Sequence, residues 1–384
     1  MKKGWERKTL GDTCEMYQPK TISGKDMVEN GPYTVFGANG IIGRYNKFNH
    51  EESQLLITCR GATCGSVNIS EPKSWITGNA MVVRSREGLI DMRFLEYLFR
   101  GGIEISKAIT GAAQPQITRT NLEPLEICYP TSLAEQQRIV GVLDEVFAGL
   151  ATAQATAEKN LQNARALFES HLQSVFSQRG KGWVETTLEK VLDVQPQNGW
   201  SPPAANHSAS GTPVLTLSSV TGFQFRPEKI KFTSAVTSAS RKYWVKNGDF
   251  LITRSNTPEL VGHVAIAAGI EKPTIYPDLI MRMTPAPDRI ITEFLYYQMR
   301  TPALRKEIMG RAQGANPTMK KISNGAVKTL PIVVAPLPAQ RVIIETLDAL
   351  ATETQRLASL YQQKLAALAA LKKSLLHQAF SGEL

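Results

Sequence analysis

Cysteine is scarce in this chain: Cys14, Cys59, Cys64 and Cys128 are the only four, and all lie in the first third. That distribution supplies neither a disulfide framework nor a four-ligand zinc site, so the thiols read as reduced. Histidine offers no more. His50, His171, His207, His263 and His377 are scattered without partners at metal-ligand or proton-relay spacing. Also missing are an uninterrupted apolar run of membrane length and a charged leader followed by an apolar stretch, which makes a soluble, cytoplasmic protein the expectation. The glycine series Gly37, Gly40, Gly43 lacks a Lys-Ser/Thr ending and a clear following helix. It fits turns, where glycine supplies positive φ, better than a phosphate cradle.

Acidic residues are outnumbered, and the formal net charge is +10. Residues 131–178 hold three basic and five acidic side chains (−2) and residues 336–384 hold five and four (+1), which leaves +11 on the two remaining stretches. Those two stretches are the globular ones, and a basic surplus there suits a polyanion, most commonly nucleic acid. The two near-neutral stretches are related to each other. Sliding Leu133–Ser177 by 204 positions places Gln136 on Gln340, Leu143 on Leu347, Asp144 on Asp348, Leu161 on Leu365, Leu172 on Leu376 and Phe176-Ser177 on Phe380-Ser381, without a gap. Proline is absent from the first copy, where Val140, Leu143, Phe147, Leu150, Gln154, Ala157, Leu161, Ala164, Phe168, His171 and Val175 alternate steps of three and four. That is a coiled-coil seam, with Gln154 and His171 as polar positions able to fix register. At about 1.5 Å per residue each helix runs roughly 65 to 70 Å, so it spans something.

The globular stretches repeat as well. Trp5-to-Leu10 opens the first and Trp183-to-Leu188 the second. Leu55-Leu56-Ile57-Thr58 corresponds to Phe250-Leu251-Ile252-Thr253, each a buried-strand run. A polar, basic turn follows in both, bearing Arg60 and Thr63 in one and Arg254 and Asn256 in the other, and then another strand. Helically spaced Phe94–Arg100 matches Phe294–Arg300 and leads to a glycine-marked loop carrying Gln114, Gln116 and Arg119, or Gln313, Asn316, Lys320 and Lys321. Amides at such positions suit adenine edges and the cations suit phosphate or guanine, although amides beside proline equally cap turns. The Pro-, Ser- and Asn-rich stretch Gln195–Gly211 reads as a surface loop that accounts for part of the second stretch's extra 26 residues, and its Asn198, Trp200 and His207 are candidate ligand contacts that a solvated loop explains better.

The repeated strand-loop-helix units, the junction Pro130-Thr131-Ser132-Leu133-Ala134-Glu135-Gln136-Gln137-Arg138-Ile139-Val140 and the closing Leu375-Leu376-His377-Gln378-Ala379-Phe380-Ser381-Gly382-Glu383-Leu384 resemble, over the whole chain, the DNA-specificity subunits of type I restriction-modification systems. The second junction, Pro336-Leu337-Pro338-Ala339-Gln340-Arg341, departs from the pattern by lacking the Glu. The resemblance implies an α+β fold in which two target-recognition domains of mixed α/β structure, residues 1–130 and 179–335, are joined by two long antiparallel coiled-coil helices within 131–178 and 336–384. It implies a non-catalytic subunit that reads a split, asymmetric site in double-stranded DNA and holds two modification subunits and, in the nuclease form, two restriction subunits. S-adenosylmethionine, ATP and Mg are then expected on those partners, and no cofactor on this chain. Gln136, Arg138, Leu143, Phe147, Gln340, Leu347 and Phe380 are the expected docking and spacer residues.

Two alternatives compete with this reading. A self-contained methyltransferase or nuclease is disfavoured, because there is no Asn/Asp-Pro-Pro-aromatic segment, no acidic-x-Lys element after Pro277-Asp278 and no Walker-type loop. A purely protein-binding coiled-coil scaffold accounts for the helices but leaves the repeated basic loops without a role.

Overall fold

A computed structural model describes residues 2–316 and 318–384 of the chain. Its contacts divide it into two units, Met1–Lys159 with Tyr361–Leu384, and Asn160–Leu360. Both units are built by the same rule. In the first, a four-stranded antiparallel sheet has the order Cys14–Tyr17, Ala80–Ser85, Leu55–Thr58, Val67–Ile69. Leu55–Thr58 is buried on both faces, which is why it reads as an unbroken apolar run instead of an alternating one. Its side chains still alternate: Leu55 and Ile57 face one core with Met16, Met81, Val83 and Phe94, while Leu56 faces the other with Phe36, Ile76 and Val82. The second core is closed by a smaller sheet of Gly40–Tyr45, Tyr33–Gly37 and Trp75–Ile76, the last strand parallel. Strand Trp5–Thr9 pairs antiparallel with Glu126–Pro130, joining the start of the unit to the residues that precede its long helix.

The second unit repeats the plan. Its four-stranded sheet runs Leu192–Asn198, Ile280–Pro285, Phe250–Thr253, Val264–Ile266, with Phe250, Ile252, Met281 and Met283 on one face and Leu251 and Ile280 on the other. Val184–Thr187 pairs with Pro331–Val334 as the closing ribbon. The expectation for Gln195–Gly211 needs correction, since Gln195–Asn198 belong to one sheet strand and His207–Ser208 form another, paired with Ile230–Thr233, which leaves only the residues between and after them outside the sheets. The extra length is spread more widely, notably over the connection between strands Thr212–Leu215 and Ile230–Thr233 and over helix Pro302–Arg311.

The long helices are Leu133–Ser177 and Leu337–Ser381. Pro338 falls in the first turn of the second, where a missing N–H costs nothing. Within the first unit, Ile139, Val140 and Leu143 near the start of one helix share a core with Leu376, Ala379 and Phe380 near the end of the other. Within the second unit the end of the first helix (Phe168, Leu172, Phe176) shares a core with Leu347, near the start of the second. The helices therefore pair antiparallel in each unit. The heptad seam is only partly followed. Gln154 is exposed and bonds Glu158, which removes its expected role in fixing register. Beyond Ala164 the buried positions are Phe168, Leu172 and Phe176, in place of His171 and Val175. Steps of four drift off a strict 3.5-residue repeat because the helix is packing on a globular core there, as well as on its partner. The first long helix is long and apolar enough to cross a membrane by length and composition alone, its most apolar window having a mean hydropathy of 1.2. Its two ends are nonetheless built into the cores just described.

Candidate nucleic-acid interface

In the first unit the chain leaves Thr58 and turns sharply. The amide of Cys59 donates to the Asn79 carbonyl (3.1 Å), that of Ile117 to Cys59 (2.9 Å) and that of Gly61 to Pro115 (3.0 Å). Arg60 makes an antiparallel bridge with Gln116, and Thr110 makes a second. Two loops about fifty residues apart in sequence are thereby fused into one surface. Gly111 takes φ +87°, and a side chain there would meet the Gln114 carbonyl at 2.5 Å, so glycine is required at this turn. Arg60, Thr63, Gln114 and Gln116 are all exposed on the fused surface. Arg119 lies close by on helix Arg119–Leu122 with its guanidinium donating to Glu123 at 2.6 Å, a pair that solvent screens.

The corresponding turn of the second unit has the same backbone bonds: Arg254 donates to the Leu279 carbonyl (2.8 Å) and Ile322 donates to Arg254 (3.0 Å). By this criterion Arg254 stands where Cys59 stands, and Ser255, which pairs with Lys321, stands where Arg60 stands. The two arginines are thus offset by one residue, in keeping with the ungapped match of Leu55–Thr58 to Phe250–Thr253. Arg254 is accordingly less exposed, with one guanidinium nitrogen 3.4 Å from the Asp278 carbonyl and 3.9 Å from its carboxylate. Several amides are already engaged. Asn256 donates to the Thr221 hydroxyl (3.2 Å) and accepts from the Thr257 amide (2.9 Å), and Asn316 accepts from both the amide (2.9 Å) and hydroxyl (2.8 Å) of Thr318. The Lys320 ammonium donates to the Gly314 carbonyl (2.7 Å). Gln313 and Lys321 are exposed.

A second strip of each rim carries residues that the two basic loops do not include. The Gly78 amide donates to the Thr21 hydroxyl (3.1 Å), and the Asp278 amide donates to the Ser201 hydroxyl (3.2 Å) in the same relative place. Trp200, beside Ser201, stacks on Tyr243 with ring centroids 5.2 Å apart. A tryptophan in a loop was the available signal. His207, by contrast, contacts Lys231 at 3.3 Å. The charge is also distributed unevenly: residues 1–130 hold sixteen basic and fourteen acidic side chains (+2), whereas residues 179–335 hold twenty and eleven (+9).

The expected docking and spacer residues turn out mostly to be internal. Gln136 and Gln340 are fully buried. The Gln136 carboxamide accepts from the Asp91 amide (2.7 Å) and donates to the carbonyls of Leu89 (3.0 Å) and Pro130 (2.8 Å). Gln340 repeats this with Ile291 (2.8 Å), Arg289 (3.0 Å) and Ala335 (2.7 Å). Each therefore fastens a long helix to the loop before the short helix of its own unit. Leu143, Leu347 and Phe380 are core residues, and Phe147 packs at its edge against Tyr97. Among these residues Arg138 alone is largely exposed, bonded to Glu135 at 2.8 and 2.9 Å. In the second copy the matching positions are Ala339 and Val342, so the pair is lost as a whole. A further repeated bond links each helix to its unit: Tyr97 donates to Asp144, and Tyr297 donates to Asp348.

Burial pushes the Cys59 thiol up to about 11 and lowers His50 and His263 to about 4, assisted in the histidines by nearby Arg84 and Arg305. Among the described residues no group of three or more His, Cys, Asp or Glu side chains is arranged to hold a metal ion.

The fold is a doubled α+β unit with one exposed loop pair per copy, and the family follows from comparison. Residues 2–162 and 180–363 match the model of the type I restriction modification DNA specificity domain, and the chain belongs to that family. It is 24% identical over 314 residues to the specificity subunit of the type I restriction enzyme EcoKI of Escherichia coli K12, a match covering 78% of this chain and 67% of that protein. Its fold is that of a solved chain from a study of type I restriction-modification complex assembly and conformational transition (TM-score 0.79, 18% identity, covering 100% of this chain and 99% of that one). It also resembles the HsdS subunit of Thermoanaerobacter tengcongensis (TM-score 0.59, 17% identity, 100% and 98% covered).

Proposed function

We propose that this chain is the non-catalytic DNA-recognition subunit of a cytoplasmic type I restriction-modification complex, reading a bipartite, asymmetric site with one unit per half-site. The observation that carries the reading is the doubled loop pair. In each unit the turn after the central strand is bridged to the glycine-marked loop, Arg60 with Gln116 in one and Ser255–Asn256 with Lys320–Lys321 in the other. The scaffold is the same and the exposed side chains differ, as two unlike half-sites require. Direct readout depends on a few side chains on a rigid support, and here both loops hang on a buried strand. Arg60 and Lys321 serve guanine or phosphate, and Gln114, Gln116 and Gln313 serve base edges.

The long helices set the separation of the half-sites, which lie about one turn, roughly 34 to 36 Å, apart on one DNA face. Their exposed faces hold two modification subunits, and two restriction subunits join in the nuclease form. Those partners carry S-adenosylmethionine, ATP and Mg. The test is retention of duplex DNA by the chain with its modification subunits at physiological salt. Sequence-selective binding that is lost in Arg60→Ala or Lys321→Ala supports the reading, and equal binding across random duplexes refutes it.

A further inference from the structure

The hairpin formed by Tyr33–Gly37 and Gly40–Tyr45 exposes two adjacent large apolar side chains at its tip, Ile41 (57%) and Ile42 (51%). Neighbours on a strand ordinarily face opposite sides, so one of the two belongs inside. The register explains why neither is. Pairing runs Gly37 to Gly40 and Phe36 to Ile41, then skips to Val35 with Gly43, which leaves Ile42 as an unpaired bulged residue. A bulge of this kind re-aims a side chain and recurs beside functional sites. Ile42 lies over Gly37, where a β-carbon would sit 2.7 Å from the isoleucine methyl.

The tip is tied to the recognition rim by hydrogen bonds. The Thr58 hydroxyl, two residues before Arg60, donates to the Ala38 carbonyl, and the Thr77 amide donates to Phe36 (2.9 Å). The Thr77–Asn79 turn in its own right receives Cys59 and holds Thr21. Hairpin tip, Thr21, Arg60 and Gln116 are thus one continuous edge. This unit carries little net charge beside the other, so attraction to phosphates contributes less to its hold on DNA, and contacts to bases must contribute more. The second unit does not copy the device. There the corresponding strands are joined by residues 216–229, and Phe223 within them turns inward to stack on His263 at 4.1 Å.

We infer that Ile41 and Ile42 are specificity residues of the first unit, packing on thymine 5-methyl groups in the major groove of its half-site; this rests on the DNA-recognition reading above. The groove admits a two-stranded ribbon, and thymine is the base that presents an apolar group there. The experiment uses the full chain with its modification subunits and duplexes of its methylated motif, in which each thymine is replaced in turn by deoxyuridine, removing the methyl alone. Within the half-site affected by Arg60→Ala, at least one replacement should weaken binding roughly threefold to tenfold. An I41S/I42S double variant should bind the thymine duplex correspondingly less well and be indifferent to that replacement.

The inference is overturned if that half-site contains no thymine, or if deoxyuridine has no effect at any of its positions. It is equally overturned if I41S/I42S keeps full affinity, or if that variant loses affinity while deoxyuridine is neutral, the pattern of a wedge between base steps. A complex in which unmutated protein shows no sequence preference removes the DNA-recognition reading and this inference together. A preference that survives with the isoleucines irrelevant removes this inference alone.

Discussion

At the scale of single residues, the most informative side chains are polar ones with no contact to solvent. Gln136 and Gln340 each satisfy one amide and two carbonyls that would otherwise be buried unpaired. An unpaired buried group costs about 1–3 kcal/mol, and some of these will find water once the side chain is gone. Gln136→Ala and Gln340→Ala should each destabilise their own unit by roughly 2–4 kcal/mol in urea unfolding; losses below about 1 kcal/mol would mean the staple is dispensable. The junction's glutamines were legible as a repeat, but their inward direction was not, since nothing in a run of Glu-Gln-Gln-Arg says which amide faces the core. The two buried histidines give a pH signature. His50 receives the Tyr17 hydroxyl on Nε2 (3.0 Å) and His263 accepts the Gly222 amide on Nδ1 (2.9 Å), and both are neutral when folded. Their folded values near 4 lie below the unfolded value of about 6.5. The stability they contribute is therefore complete above pH 6.5 and lost as pH falls towards 4, because the unfolded chain takes up the protons first. The loss is at most about 3 kcal/mol for each. Unfolding measured between pH 7.5 and 4.5 should flatten in His50→Gln and in His263→Gln, and an unaltered slope would contradict neutral burial.

At the scale of elements, the long helices and the central strands were readable because their patterns are long or doubled. Leu55–Thr58 and Phe250–Thr253 announce themselves twice, and a 45-residue segment free of internal proline leaves little choice but helix. The seam was less readable. Gln154 occupies a heptad position yet is exposed, and beyond Ala164 the helix answers to a globular core with a different period from the coiled coil. Tertiary approach was invisible in advance at Gly101 and Gly102. A β-carbon there would stand 2.6 Å from Leu376 and 2.4 Å from Phe380, so these glycines let the end of the second long helix lie against the first unit. Gly102→Ala should lower the thermal midpoint of the chain by several degrees, by forcing Phe380 off Phe94, a T-shaped pair with centroids at 5.3 Å. Calorimetry checks this, and a wild-type midpoint in Gly102→Ala would show that the ring yields at no cost.

For the whole molecule, the doubling is the argument. Each unit places a bridged loop pair at one end of the same four-stranded sheet, and each fastens a long helix with the same glutamine and the same tyrosine-to-aspartate bond. Much of the candidate rim was legible from residue types in the two loops. The hairpin tip was not, because it depends on register, which sequence specifies only through partners. Removing seven residues, one heptad, from one long helix should leave folding largely intact and change the tolerated half-site spacing. An unchanged spacing would remove the helices from that role. The central claim is tested most directly by sequencing the methylome of cells that carry this chain with its modification subunits, alongside Arg60→Ala and Lys321→Ala. The account predicts a motif of two specified segments separated by unspecified bases, with Arg60→Ala relaxing only one segment and Lys321→Ala only the other. A single contiguous motif, or either substitution relaxing both segments, would contradict it.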